Sequence, residues 1–415
     1  MKLTVVGGGS TYTPELVDGF ARLRGAFPID ELVLVDPAVE RLELIGAFAR
    51  RIFARQGHPG RITTTRNLTE AVDGADAVLL QIRVGGQAAR HEDETWPLDC
   101  GCVGQETTGA GGLAKALRTV PVVLDIAEQV RRANPRAWII DFTNPVGIVT
   151  RALLSEGHRA VGLCNVAIGF QRRFAGYAGV SPDRLTLDHF GLNHLTWTRA
   201  VRLAGQDILP ELLIAHGNDL ATDLHLPVEV LRRLGVVPSY YLRYFYAHDE
   251  VVRELLDRPS RAEEVTALEK QLIDLYADPA LDEKPELLEQ RGGAYYSEAA
   301  VALTSSLLND TGDVQVVNTL NNGTLPFLAD DAVIEVPATI DATGATPLPV
   351  AAVDPLYAGL IANVSAYEHL ALDAALRGGE ERAFRALLAH PLVAQIEKAE
   401  ILTGKLLAHN RQYLP

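Results

Sequence analysis

Through the first half of the chain, short apolar, β-rich runs alternate with stretches of helical periodicity. The runs cover 2–6, 31–35, 61–65, 77–81, 138–142, 160–163 and 185–190, and helical stretches over 14–23 and 39–56 separate the earliest of them. This alternation predicts a parallel, doubly wound α/β sheet, because two parallel strands need a crossover and a helix supplies it. Residues 83–112 break the rhythm. That segment is rich in Gly, Thr and charge, and so long an interruption in a compact domain predicts a folded active-site loop. A helix resumes over 114–133. Beyond His194 the alternation weakens. The pattern there predicts a strand over 195–202, helices over 261–276 and 295–308, a strand over 314–318 and a helical, Ala/Leu-rich end from Leu356. No repeat or low-complexity linker interrupts it. The organisation expected is a Rossmann-type domain at 1–165 and an α+β domain at 166–415 that covers its open face.

Composition narrows the class. The chain has 415 residues, 47% hydrophobic and 22% charged, as a folded globular protein should be. Its net charge of -15 argues against nucleic-acid or anionic-membrane partners. An anionic substrate then needs a local cluster of Arg. Three cysteines, Cys100, Cys102 and Cys164, are too few for a disulfide scaffold and fit a reducing cytoplasm. The Cys100-Gly-Cys102 pair lacks the spacing of zinc or redox motifs and reads as structural. No signal peptide or membrane span is expected.

The first strand runs into Gly7-Gly8-Gly9-Ser10, and a helix follows. Strand, glycine turn, helix is the setting of a dinucleotide fingerprint: glycines admit the pyrophosphate, and the helix N-terminus favours its charge. Tyr12 stands where the usual third glycine would be. The second strand ends in Asp36, whose carboxylate suits ribose hydroxyls and repels a 2′-phosphate, so NAD is favoured over NADP. Asp36 as a cap before Pro37 is the plainer alternative. Three more pieces follow apolar runs: Asp141-Phe-Thr-Asn144-Pro145, Gly162-Leu-Cys164-Asn165 and Gly191-Leu-Asn193-His194. Ligands of open α/β sheets bind beyond the carboxyl ends of the strands. An amide, a thiol and an imidazole are therefore expected at one crevice, where thiolate and imidazole suit a borderline metal ion. Each alone reads equally as a packed core residue.

With these pieces go Val6-Gly-Gly-Gly-Ser-Thr-Tyr-Thr-Pro-Glu-Leu, Gly104-Gln-Glu-Thr-Thr-Gly-Ala-Gly-Gly, Tyr241-Leu-Arg-Tyr, Arg291-Gly-Gly and Asn318-Thr-Leu-Asn-Asn-Gly. Together they span most of the chain, which resembles the family 4 glycoside hydrolases, the NAD-dependent exception to two-carboxylate glycosidases. The branch it is most similar to acts on 6-phospho-β-glucosides. The resemblance implies a dehydrogenase-like fold of the lactate/malate type, with NAD and Mn²⁺ as cofactors. It implies C3 oxidation by NAD, C2 deprotonation, elimination and water addition. It implies Cys164 and His194 as metal ligands, Asn144 as a substrate contact beside the metal, and Arg90 and Arg291 as sugar and phosphate contacts. Tyr241 is implied as the general base, with Glu106 raising its basicity. Asn165 stands where members acting on α-linked sugars usually carry Asp, which favours β-linked substrates such as phosphorylated disaccharides or aryl glycosides. Ala167 departs from a frequent Pro. A homodimer or homotetramer is implied.

Read from the residues alone, alternatives stay open. Tyr240 or Tyr244 suits the base role as Tyr241 does, and buried tyrosines also serve as core. Glu106 fits a turn cap, Arg90 a solvated charge run and Arg291 a surface position. A plain NAD-dependent 2-hydroxy-acid dehydrogenase or a non-catalytic NAD-binding protein shares the first half of the pattern. Neither needs thiol, imidazole and amide at successive strand ends. Unphosphorylated, galacto-configured or α-linked sugars are the alternatives within the family.

Overall fold

The computed structural model describes residues 1–292 and 295–414; Gly293 of the Arg291-Gly-Gly motif lies outside the described residues. The strands in chain order are β1 (Lys2–Val6), β2 (Glu31–Val35), β3 (Arg61–Thr65), β4 (Ala77–Leu80), β5 (Trp138–Asp141), β6 (Ala160–Gly162), β7 (Leu185–Leu192), β8 (Leu195–Leu203), β9 (Gln206–Asp207), β10 (Val237–Pro238), β11 (Asp313–Leu320), β12 (Val333–Asp341) and β13 (Gly344–Pro347). One sheet runs β13-β12-β11-β6-β5-β4-β1-β2-β3. From β6 through β3 it is parallel, as the alternation predicts. Its inner strands are apolar on both faces because helices cover both, while the edge strand β3 is largely polar and only partly buried. In β2, Leu32 and Leu34 enter one core, and Val33 and Val35 enter the other.

Two features depart from the sequence reading. The run at 185–190 is not part of this sheet. It is β7, which forms an antiparallel hairpin with β8 in a second sheet, closed by β10. His194 thus sits in a hairpin turn, with φ +63°, and not beyond a parallel strand. The second departure is at 83–112. It is only partly a loop: it holds a helix at Gly86–Thr95, a 3-10 turn at Trp96–Cys100 and the start of the helix Gly109–Ala133, with irregular backbone left at 101–108. Positive φ at Gly85 and Gly86 opens the first helix, and Arg90 pairs with Glu94 one turn on.

The strand over 314–318 is realised as β11, and it joins the main sheet. Asn318 stands opposite Gly162 of β6, and β12 and β13 continue outward antiparallel. The sheet therefore crosses the 165/166 division, with three strands of the later segment extending the earlier one. A third core, including Phe174, Leu185, Val201 and Leu220, fills the space under the second sheet.

Candidate active site

A cavity of about 840 Å³ opens beyond the carboxyl ends of β1, β4 and β5, a size suited to small-molecule ligands. Gly7, Gly9, Ser10 and Asp36 line one part of it. The glycine turn is forced by packing. Gly7 has φ +88°, and a Cβ there would lie 2.7 Å from the Gln81 carbonyl oxygen. A Cβ on Gly8 would lie 2.7 Å from the Leu34 Cβ, so Gly8 serves close strand packing and does not line the cavity. The helix Thr13–Arg22 follows, and its N-terminus carries the positive end of its dipole. Asp36 is not the cap of the helix that follows it, since Ala38 takes that position, but its carboxylate braces the turn before that helix. It lines the cavity, and it accepts from Gly9 N at 3.1 Å and Ala38 N at 2.9 Å.

Positive charge gathers deeper in. Glu106, 5% exposed, pairs with Arg83, with Lys115 Nζ at 2.6 Å and with Arg90 Nε at 3.3 Å. Burial disfavours its charge, yet these cations hold its carboxyl well below the usual range. Arg90 is not solvated: it also pairs with Glu94 at 2.7 Å and is largely buried. Burial and the neighbouring Arg83 pull Lys115 down to about 7, against the pull of Glu106. Arg291 donates to Thr11 Oγ1 and Glu269 Oε1, each at 2.9 Å. Arg83, Arg90, Lys115, Arg291, Glu106 and Glu269 all line the same cavity. The chain thus concentrates cations in this chamber despite its negative total.

Asn144, Asn165, His194 and Tyr241 complete the wall. Asn144, before the cis bond to Pro145, keeps a buried Oδ1 with no hydrogen-bond partner. Asn165 stands at the start of the helix Val166–Ala178. His194 and Tyr241 stack with ring centroids 3.6 Å apart and planes 11° from parallel. Thr107 Oγ1 lies 3.1 Å from His194 Nδ1, so the turn after β7 is tied to the start of the long helix. Burial lowers His194 to about 4, which keeps the imidazole neutral. Burial, reinforced by Glu335, raises the Cys164 thiol well above its ordinary value. Burial likewise raises Tyr241, with Cys164, Tyr244 and Glu106 adding to the effect. Tyr240, Tyr244 and Tyr246 stand nearby with hydrogen-bonded hydroxyls, which meet Arg243 at 3.2 Å, Gln105 at 3.4 Å and Trp197 at 3.1 Å.

A divalent cation fits this donor set. Among the described residues no three of His, Cys, Asp and Glu gather into a closed metal site. A thiol, a neutral imidazole and an orphaned amide oxygen are donors of the kind an open, catalytic site uses; Asn144 and His194 line the cavity, whereas Cys164 is buried and not part of its lining. The sequence reading missed Arg83 and Lys115. Arg83 follows a strand end, and Lys115 is a lone charge in the Gly/Ala-rich start of a helix; both were visible signals.

A family model described as "Family 4 glycosyl hydrolase" matches residues 2–180, and one described as its C-terminal domain matches 189–393. The chain is 39% identical to the probable 6-phospho-beta-glucosidase of Bacillus subtilis, with 100% of this chain and 97% of that protein covered. It is similar to the solved 6-phospho-beta glucosidase of Thermotoga maritima with manganese, NAD⁺ and glucose-6-phosphate: TM-score 0.92, 33% identity, 100% of this chain and 99% of that one covered. Malate dehydrogenase from Salinibacter ruber shares the fold alone, at TM-score 0.53 and 18% identity over 91% of this chain and 98% of that one.

Proposed function

The chain belongs to the family 4 glycosyl hydrolases, and we propose that it hydrolyses 6-phospho-β-D-glucosides with NAD⁺ and Mn²⁺ as cofactors. One observation carries the reading: a dinucleotide-type glycine turn, a cluster of buried cations and the His194–Tyr241 pair line a single cavity.

In this reading Gly7, Gly9 and Ser10 of the turn hold the pyrophosphate, Gly8 letting the turn pack on its neighbouring strand, and Asp36 holds the adenosine ribose. Arg90 and Arg291 bind the sugar and its phosphate through charge-assisted hydrogen bonds. Cys164 and His194 hold Mn²⁺, and Asn144 contacts the substrate beside it. The bound cofactors supply hydride acceptance at C3 and Lewis-acid polarisation, so elimination replaces two-carboxylate hydrolysis. Tyr241 takes the proton from C2 at its phenolate oxygen. Burial holds its value raised, and a cation held nearby would lower it by stabilising the phenolate. Glu106 arrays Arg83, Arg90 and Lys115 and adds negative charge at Tyr241. Asn165 has no proton to give a leaving group, which favours β-linked substrates. The reading carries a homodimer or homotetramer in the cytoplasm, checked by light scattering and fractionation. No helix among the described residues is long and apolar enough to cross a membrane.

The deciding experiment is hydrolysis of an aryl 6-phospho-β-D-glucoside in D₂O, with NAD⁺ and Mn²⁺ each present or omitted. Turnover that needs both and leaves deuterium at C2 of the product supports the reading. Turnover without them, or without deuterium, refutes it. Stoichiometric NADH accumulation points to a dehydrogenase instead.

A further inference from the structure

Behind Cys164 and His194 lies a buried polar junction with no part in the chemistry above. Glu335, 1% exposed, sits within the apolar start of β12. Its carboxylate accepts from Asn193 Nδ2 at 2.9 Å and from Asn318 Nδ2 at 3.1 Å. His189 Nε2 lies 3.5 Å from its Oε1, and Thr198 Oγ1 lies 3.1 Å from His189 Nδ1. Among the described residues no Arg or Lys pairs with Glu335. Among the described residues, its Oε1, the His189 Nε2 and the Asn318 Oδ1 have no well-formed hydrogen bond, the first two facing each other only at that 3.5 Å. So incompletely satisfied a buried carboxylate costs stability. Folding alone gives no reason to keep it.

Its position gives one. Register sets Glu335 opposite Asn318, and Asn318 opposite Gly162, two residues before Cys164. β12 also packs on β7, whose turn carries Asn193 and His194. Glu335 thus stands where the two sheets meet. Asn193 links it to the ligand candidates: it is bonded to Glu335, adjacent to His194 in the turn, and close enough to the Cys164 thiol to favour its charged form. A thiolate and a neutral imidazole leave a divalent cation with one positive charge uncompensated, in a region too buried for water to screen it.

We propose that Glu335 is the positioning residue of the cation site: through Asn193 it fixes the Cys164 sulfur and the His194 turn, and its carboxylate balances the charge of a divalent cation held there. The inference rests on the metal reading above. Outer partners of this kind typically change metal affinity about 10–100-fold.

The test is Co²⁺ titration of the wild-type chain and Glu335→Gln, without substrate, read by the thiolate-to-cobalt charge-transfer absorption. NAD⁺ affinity, measured alongside, reports that the variant is folded. The expected result is Co²⁺ affinity weaker by about 10–100-fold with a reduced thiolate band, and NAD⁺ affinity unchanged. Equal Co²⁺ affinity and an equal band in a folded variant overturn the proposal. If Glu335→Gln does not fold, Asn193→Ser breaks the same link from the turn. It should weaken Co²⁺ binding in the same way, and unchanged binding there overturns the proposal. Absence of a thiolate band in the wild-type chain instead overturns the metal reading itself.

Discussion

Replacing Glu106 by Gln removes one negative charge from among three cations. Lys115 lies at 2.6 Å, Arg90 at 3.3 Å and Arg83 pairs directly, all in a nearly dry setting. At an effective dielectric of about 20, a pair of charges near 3 Å attracts by roughly 5 kcal/mol, so the gross attraction is on the order of 15 kcal/mol. Most of that offsets the cost of desolvating four charges. The net loss on breaking such a cluster is about 3–5 kcal/mol. Lys115 limits the loss further. Its folded value, about 7, lies below the ordinary 10.5, so the folded chain releases its proton first. Between those values the unfolded state binds more protons, and stability rises with pH. In Glu106→Gln the Lys115 value falls further, because Glu106 raises it in the wild type. Below pH of about 7 the wild type holds the Lys115–Glu106 attraction and the variant does not; above it Lys115 is neutral in both.

The deficit of the variant should therefore be largest near pH ~6 and shrink by pH ~9. Urea titration followed by tryptophan fluorescence reads it, since Trp96, Trp138 and Trp197 are all buried. A variant as stable as the wild type, or a deficit that does not change with pH, would refute the reasoning.

Three further outcomes are expected. Cys164→Ser should lose Mn²⁺-dependent activity while keeping NAD⁺ binding by calorimetry; full activity at low Mn²⁺ removes Cys164 from the ligand set. Tyr241→Phe should slow exchange of the substrate C2 proton with solvent, measured by NMR, and an unchanged rate assigns the base elsewhere. Burial pushes Glu368 up to about 8 from 4.5, so the folded state binds the extra proton and stability falls as pH rises between those values, by up to roughly 5 kcal/mol; Glu368→Gln should flatten that slope and be the more stable chain at pH ~9, and parallel pH profiles count against it.

Much of the parallel sheet was legible because its information is local. β1, β2, β4, β5 and β6 are short runs rich in apolar residues and β3 is a β-branched one, Arg-Ile-Thr-Thr-Thr, and the glycine turn and Asp36 sit at the ends of two of them. The helix Gly86–Thr95 was misread because Gly85 and Gly86 look like loop residues, although they open it with positive φ. The Arg90–Glu94 spacing was the opposing signal, and a pair one helical turn apart deserved more weight than the glycines. The run at 185–190 was assigned to the wrong sheet for another reason. Apolar content marks a strand, but pairing partners are set by register across long separations. Nothing local separates β7, which pairs in a hairpin, from β6, which pairs in parallel.

The same distinction explains which parts of the site could be read in advance. Cys164, His194, Asn144 and Tyr241 have reactive side chains in short motifs, so each announces itself locally. What surrounds them does not. Lys115 comes from the long helix, Glu269 from the helix Arg261–Ala277 and Glu335 from β12, and each is defined by partners far away in sequence. Lys115 and Glu335 share one mark, a buried charge between apolar neighbours, whereas Glu269 sits partly exposed beside Lys270 and carries none. In β12 the alternation of a half-buried strand would place a polar residue outward, whereas Glu335 is buried between Ile334 and Val336, which are also buried. A charge on the buried side of such a strand needs a partner or a purpose. Here, among the described residues, the sheet gives it no Arg or Lys partner, only His189 at 3.5 Å, and sets it two strands from Cys164, so the purpose is sought at the site and not in the core.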